Sequence, residues 1–216
     1  MSARRRDATR TTHLRHADVT YPSRVSGSRP ALPAADLARV VVFAAFIAVL
    51  GLFPGFAGVA GVPIVLQNVG PILAGVILGW RLGTASVALL LVLTAVGLPL
   101  LSGGRNGAAF FGPSGGFLVG WLLSAVVAGL IVQRFRSRSL PVLLLACLAG
   151  LLADYVIGMP WLGVYIGDVT GGIVQSLVFV PGDLIKVVLA ALIASLVHRA
   201  LPDLLPVRPA SESRVR

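Results

Sequence analysis

FVPGDLIKVVLAALIASLVHRAL, residues 179–201, sets the frame for the whole chain. Most of it is apolar enough to lie in a membrane. Yet it opens with an acid, Asp183, and a base, Lys186, three residues apart. That spacing places both side chains on one face of a helix. Ionisable groups inside a bilayer are costly and mark sites that do something. Two questions follow: how many such segments the chain holds, and what this pair faces.

The composition answers the first in outline. Of 216 residues, 56% are hydrophobic and 12% charged, against about 45–50% and about 25% in soluble domains. The chain is therefore read as an integral membrane protein. Six apolar segments, 37–54, 63–80, 82–100, 116–133, 140–158 and 182–201, approach the length of about 20 residues that a spanning helix needs. The second and third are separated by little more than Trp80–Arg81–Leu82–Gly83, which predicts a tight helical hairpin. Runs such as VALLLVLTAV (87–96) show no two-residue alternation, so a β-barrel is excluded and helices remain. The expected fold is an all-α bundle of six transmembrane helices over residues 37–201. A disordered basic cytoplasmic tail, 1–36, precedes it, and a disordered cytoplasmic tail, 202–216, follows. Residues 1–36 hold no apolar stretch of a secretory signal. Their arginines suit contact with anionic membrane lipid. His13 and His16 in this tail suggest no metal site.

The formal net charge of +10 raises the question of nucleic acid. The distribution argues for topology instead. In a six-span arrangement, all eighteen Lys and Arg except Arg105 and Lys186 fall on one side. By the positive-inside rule that side, with both termini, is cytoplasmic. No nucleic-acid partner is expected. The ionisable groups away from it are Arg105, Asp154, Asp168, Asp183 and Lys186, all in the outer half. This pattern fits an externally open polar pocket rather than a relay crossing the membrane. The plain alternative is that Asp183 and Lys186 pair with each other or snorkel outward.

The outer connections bear on the pocket. Residues 97–116, GLPLLSGGRNGAAFFGPSGG, contain seven glycines. Such backbone at membrane depth must be buried in protein or line a cavity. Arg105 and Asn106 bring directional hydrogen-bonding groups, and Phe110 and Phe111 could cover an apolar ligand. The 156–182 connection brings Trp161 and Tyr165, either as interfacial aromatics or as pocket walls. Asp168 reads as turn chemistry. In the first segment, Ala44 and Ala48 share a small-residue face, suited either to internal packing or to docking a membrane partner. Cys147, the single cysteine, reads as a packing residue. Gly112–Pro113–Ser114–Gly115–Gly116 satisfies G-x-S-x-G, but no strand or outer histidine accompanies it. A Ser114–Lys186 hydrolase dyad is the residual enzymatic idea.

Four stretches carry a resemblance: VFAAFIAV (42–49), VPIVLQNVGPILAGVILG (62–79), GLPLLSGGRNGAAFFGPSGGFLVGW (97–121) and PGDLIK (181–186), with GMPWLG (158–163) in register. Together they resemble the BioY family, the biotin-specific S components of energy-coupling factor (ECF) transporters. The chain departs at Val65, Ser114 and Phe117, where the family more often has PITLQ and GPTGGY. Val65 is accordingly not counted as a contact. The resemblance implies a non-enzymatic, multi-pass protein of the cell membrane that captures biotin from outside. It implies partners: a transmembrane coupling subunit and two cytoplasmic ATPases, with toppling of the S component on ATP hydrolysis. A homo-oligomer is compatible with it. No cofactor or metal is expected; biotin is the transported ligand. Asp183, Lys186 and Asn106 are the implied ligand contacts, with Arg105 and Gln67 as further polar candidates. Phe111, Phe117, Trp161 and Tyr165 are candidate apolar walls. Asp183 suits the ureido N–H groups, whereas Lys186 or Arg105 suits either the ureido oxygen or the carboxylate. An S component for riboflavin or thiamine is the alternative within the class.

Overall fold

A computed structural model describes residues 33–135 and 138–201. The segments 1–32 and 202–216, read above as parts of cytoplasmic tails, lie outside the described residues. Helix α1 spans Ala34–Leu50, starting three residues before the expected span. An Arg39–Asp36 ion pair of 3.0 Å ties its first turn. Two short strands follow, β1 (Phe56–Val59) and β2 (Val62–Ile64). Then come α2 (Val69–Ala95), a 3₁₀ turn (Gly107–Phe111), α3 (Gly115–Phe135), α4 (Leu140–Ile166), α5 (Val169–Ser176), a second 3₁₀ turn (Leu177–Phe179) and α6 (Val180–Ala200).

The fold is mostly helical, and the strands correct the all-α expectation. The second apolar segment was expected to be helical from residue 63, but helix begins only at Val69. Residues 56–64 instead form an antiparallel hairpin. Its turn is Ala60–Gly61, both at positive φ (49° and 80°), the geometry of the two-residue turns that match strand twist. The fifth segment also runs past its expected end at 158. It continues through Pro160 to Ile166 and stops at Gly167, whose φ is 79°. There the Asp168 N–H donates to the Gly163 carbonyl, a Schellman-type closure. Asp168 then caps α5 by accepting from the Gly171 N–H at 2.9 Å. Most of the expected 156–182 connection is thus helix.

Among the described residues, four helical stretches are long and apolar enough to cross a membrane: Val69–Ala95, Gly115–Phe135, Leu140–Ile166 and Val169–Ala200. The first of these is two helices in one. Gly79 has φ 80° and ψ 173°, far from helical values. Beyond it the chain doubles back, so that Gly83 lies against the carbonyl of Ala74 and the N–H of Gly75. This is the expected hairpin, tightened to one residue. Gly129 of α3 packs on the same corner, against the backbone of Trp80.

Apolar side chains lie on both sides of the helices, unlike in a water-soluble bundle. Ile47, Leu73, Leu90, Leu143 and Leu162 fill the interior, while Leu152, Val156, Ile185, Leu189 and Leu196 face outward. Such an apolar exterior is a liability in water and the expected surface in lipid.

The Gly79 conformation lies in a region that only glycine occupies comfortably. Gly79→Ala is therefore expected to cost about 1–3 kcal/mol. A lowered thermal midpoint of the detergent-solubilised protein would show it, and an unchanged midpoint would refute the hairpin corner.

Candidate functional site

Asp183 and Lys186 sit in the first two turns of α6, behind Pro181. An acid in a helix's first turn is favoured by the macrodipole. They do pair, with Lys186 Nζ donating to Asp183 Oδ1 at 2.8 Å, but the pair is the centre of a larger network. The same Oδ1 accepts from Asn68 Nδ2 at 3.0 Å, and Oδ2 accepts from the Tyr155 hydroxyl at 2.7 Å. Lys186 Nζ also donates to the Val65 carbonyl at 2.6 Å and to Asn68 Oδ1 at 3.1 Å. Lys186 thus uses all three of its donors. The network joins the end of the β-hairpin segment, the start of α2, the middle of α4 and the start of α6.

This network forms one wall of a partly open cleft lined by residues from the hairpin, the 97–114 connection, α3, α4 and α6. Val62, Ile64 and Val65 come from the hairpin; Phe117, Leu118 and Trp121 from α3; Asp154 and Tyr155 from α4; Phe179 from the second 3₁₀ turn. Phe117 and Phe179 meet edge to face at 6.0 Å. Gly158 makes room for the Phe117 ring, since a Cβ there would strike it. Arg105 and Ser114 line the cleft from the 97–114 connection. Arg105 is half-buried, with Nη1 donating to Ser114 Oγ at 3.0 Å and Nε to the Ser102 carbonyl at 3.1 Å. Burial lowers the pKa of its guanidinium below the ordinary value.

The structure brings Asp183, Lys186, Arg105, Gln67 and Phe117 together around this cleft. Gln67 is fully engaged there. Its Nε2 donates to the Ile47 and Leu100 carbonyls at 3.1 and 2.8 Å, and its Oε1 accepts from the Ser102 N–H at 3.0 Å. It ties α1 and the 97–105 connection to the entrance of α2.

The other candidates lie elsewhere. Asn106 caps the first 3₁₀ turn, accepting from the Ala108 N–H at 3.2 Å. Phe111 is 86% exposed. Trp161 is also exposed and donates to the Gly112 carbonyl at 3.0 Å. Tyr165 is exposed near the end of α4. None of these four is among the residues lining the cleft. Ala44 is buried in the bundle, and Ala48 is partly exposed. Ser114 and Lys186 bond to different partners, so the hydrolase dyad is not formed.

Among the polar residues of the network and cleft, Asn68, Tyr155 and Asp154 were not singled out as ligand contacts. Asn68 adjoins Gln67 and occupies the N-cap position of α2 without making a side-chain cap. A capping-type residue of this kind reads as local structure. Asp154–Tyr155, an acid and a phenol in the run LLADYVIG (151–158), was the stronger signal.

Comparison with known proteins places these features in a family. The BioY family model matches residues 22–203. A biotin transporter BioY from Rhizobium etli is 41% identical over 183 residues, 80% of this chain and 97% of that protein. One from Rhodobacter capsulatus is 41% identical over 189 residues, covering 80% and 98%. The crystal structure of an S component for biotin from an ECF-type ABC transporter superposes with a TM-score of 0.72. It is 34% identical and spans 77% of this chain and 92% of that one.

The network predicts a non-additive pair. Removing one partner of a buried ion pair typically costs about 3–5 kcal/mol, because the other charge is left unpaired. Lys186→Met is expected to destabilise by that order, and Lys186→Met with Asp183→Asn to recover most of it. Thermal unfolding of the single and double variants measures the difference; additive losses would mean the pair is not coupled.

Proposed function

We propose, on the premise that this chain belongs to the BioY family, that the cleft beneath the 97–114 connection is where it holds biotin. The chain is a biotin-binding uptake subunit of the S-component type, a transporter component and not an enzyme. The observation that carries the site assignment is the cleft's polarity. Its buried wall offers carboxylate oxygens, an amide and an ammonium, whereas its half-buried side offers the Arg105 guanidinium.

Biotin has matching ends. Its ureido ring carries two N–H donors and one carbonyl acceptor, its thiophane body is apolar, and its tail is a carboxylate. The ureido ring fits the Asp183 wall, where the second N–H of the Asn68 amide, whose first goes to Asp183, supplies a donor for the ureido oxygen. The thiophane fits between Phe117, Phe179 and Trp121. The carboxylate meets Arg105, which can hold it bidentately and regain part of its own desolvation cost. Asn106, Phe111, Trp161 and Tyr165 belong, in this reading, to the cover over the mouth rather than to the seat of the ring.

The remaining architecture follows the same line. The helical hairpin at Gly79 divides α2 into two crossings, and α1 and the α5–α6 unit complete a six-helix bundle. The arginine-rich ends, Arg81, Arg134 and Arg199 among them, favour cytoplasmic termini in the cell membrane. Transport energy comes from partners: a transmembrane coupling subunit and two cytoplasmic ATPases. Of the two alanines, Ala48 is the one open to such a subunit on the surface of α1.

Binding to the detergent-solubilised protein tests the reading. A thermal-shift panel is expected to show stabilisation by biotin and none by riboflavin or thiamine; the reverse would overturn it. Charge-assisted hydrogen bonds contribute about 1.5–3 kcal/mol each. Asp183→Asn should therefore weaken biotin binding by about tenfold or more. Arg105→Ala should weaken biotin but leave the affinity for biotin methyl ester, which lacks the anion, nearly unchanged.

A further inference from the structure

Asp154 is the one acid in the cleft wall that the hydrogen-bond network does not use. It is 4% exposed, lines the cleft, and its Oδ1 is buried with no hydrogen-bond partner. A buried, unpartnered carboxylate oxygen is costly and calls for an explanation. Its place is built for it. Gly120 of α3 faces it, and a Cβ at position 120 would collide with Oδ1. The helices thus approach closely and leave the oxygen room without offering it a donor. The neighbouring donors are committed elsewhere. Tyr155, the next residue, donates its hydroxyl hydrogen bond to Asp183, and Lys186 uses its three donors on Val65, Asn68 and Asp183.

Asp183, by contrast, already accepts three hydrogen bonds. A ligand bringing two N–H donors to this wall finds one acceptor nearly filled and one empty. We infer that Asp154 is a ligand-contacting residue whose carboxylate accepts one ureido N–H, leaving the other N–H to Asp183. This rests on the biotin reading of the cleft and extends it to a residue that specifies the donor pattern of the ring. It also accounts for Gly120: any larger residue there would push the Asp154 carboxylate out of line.

Binding of biotin, biotin methyl ester and a biotin methylated on a ureido nitrogen tests it by calorimetry on wild type, Asp154→Ala and Asp154→Asn. Asp154→Ala is expected to lose about tenfold to a hundredfold in affinity for biotin. It should lose the same factor for the methyl ester, whose ureido ring is intact. It should lose little for whichever N-methyl isomer removes the donor facing Asp154. Asp154→Asn, which keeps an acceptor oxygen at the same volume, should recover part of the loss. The assignment is overturned if Asp154→Ala binds biotin within twofold of wild type. It is equally overturned if both N-methyl isomers lose the full factor, or if neither variant can be recovered folded, which marks the carboxylate as structural. A wild-type protein that binds no biotin would instead bring down the underlying reading.

Discussion

A buried acid and base in contact, Asp183 and Lys186, govern the rest of the structure. Taking both charges out of water costs several kcal/mol each, and their mutual attraction repays this only when their remaining hydrogen-bonding positions are filled. Here they are filled from three directions: Asn68 and Val65 before α2, Tyr155 in α4, and the pair's own helix. Val65 has a further consequence. Residues 62–68 are not helical, and backbone groups that miss a helix need other partners at membrane depth. Lys186 supplies one to the Val65 carbonyl, and the β-hairpin supplies others through Phe56 and Val59. The pair therefore explains why a short strand pair is tolerated among apolar helices. It also explains why the cleft opens beside it.

Close helix approach is the second constraint. Lipid offers no hydrophobic drive between helices, so packing rests on small residues that let backbones meet. The α3–α4 seam shows this. Gly116 lies against Trp161, Gly120 against Asp154, and Gly150 against Ser124. The seam sets the depth of the cleft, because it fixes how far the α4 side chains stand from those of α3. The same rule operates at the corner of α2, where Gly79, Gly83 and Gly129 let three backbones converge.

Much of this was legible in the sequence, for physical reasons. Long apolar runs announce helices, and the tight connection at 80–83 announced the turn in α2. The cost of Asp183 and Lys186 in an apolar run drew attention to the pair that lines the cleft. Where the sequence misled, local and tertiary signals diverged. VPIVLQ (62–67) is as apolar as the helix after it, and only the Ala60–Gly61 turn, not its hydropathy, marks it as strand. Pro160 and the glycines of 158–171 read as a loop, yet the helix tolerates them until Gly167. Asn106, a ligand contact implied by the resemblance, has its side-chain oxygen on the Ala108 N–H in this structure. Asn68 looked like an ordinary helix-start residue, and its role depends on α6, 115 residues away. No local pattern carries that pairing. Ser114 and Arg105 likewise meet across a connection whose fold only the three-dimensional structure gives.

If the cleft holds biotin as proposed, the distribution of donors and acceptors around it favours one orientation of the ligand. In the orientation set out above, N–H groups meet Asp154 and Asp183 while the carboxylate meets Arg105. Reversed, the carboxylate would lie against two acids, and the ureido N–H groups would face the donors of Arg105. Lys186 is no rescue, because each of its three hydrogen bonds is already made. Every donor left facing a donor adds a desolvation penalty of about 1–3 kcal/mol. The reversed pose is thus the less favoured one in the proposed reading. Rejection of this kind needs no movable part. It follows from placing acids at the buried end and a guanidinium at the half-buried one.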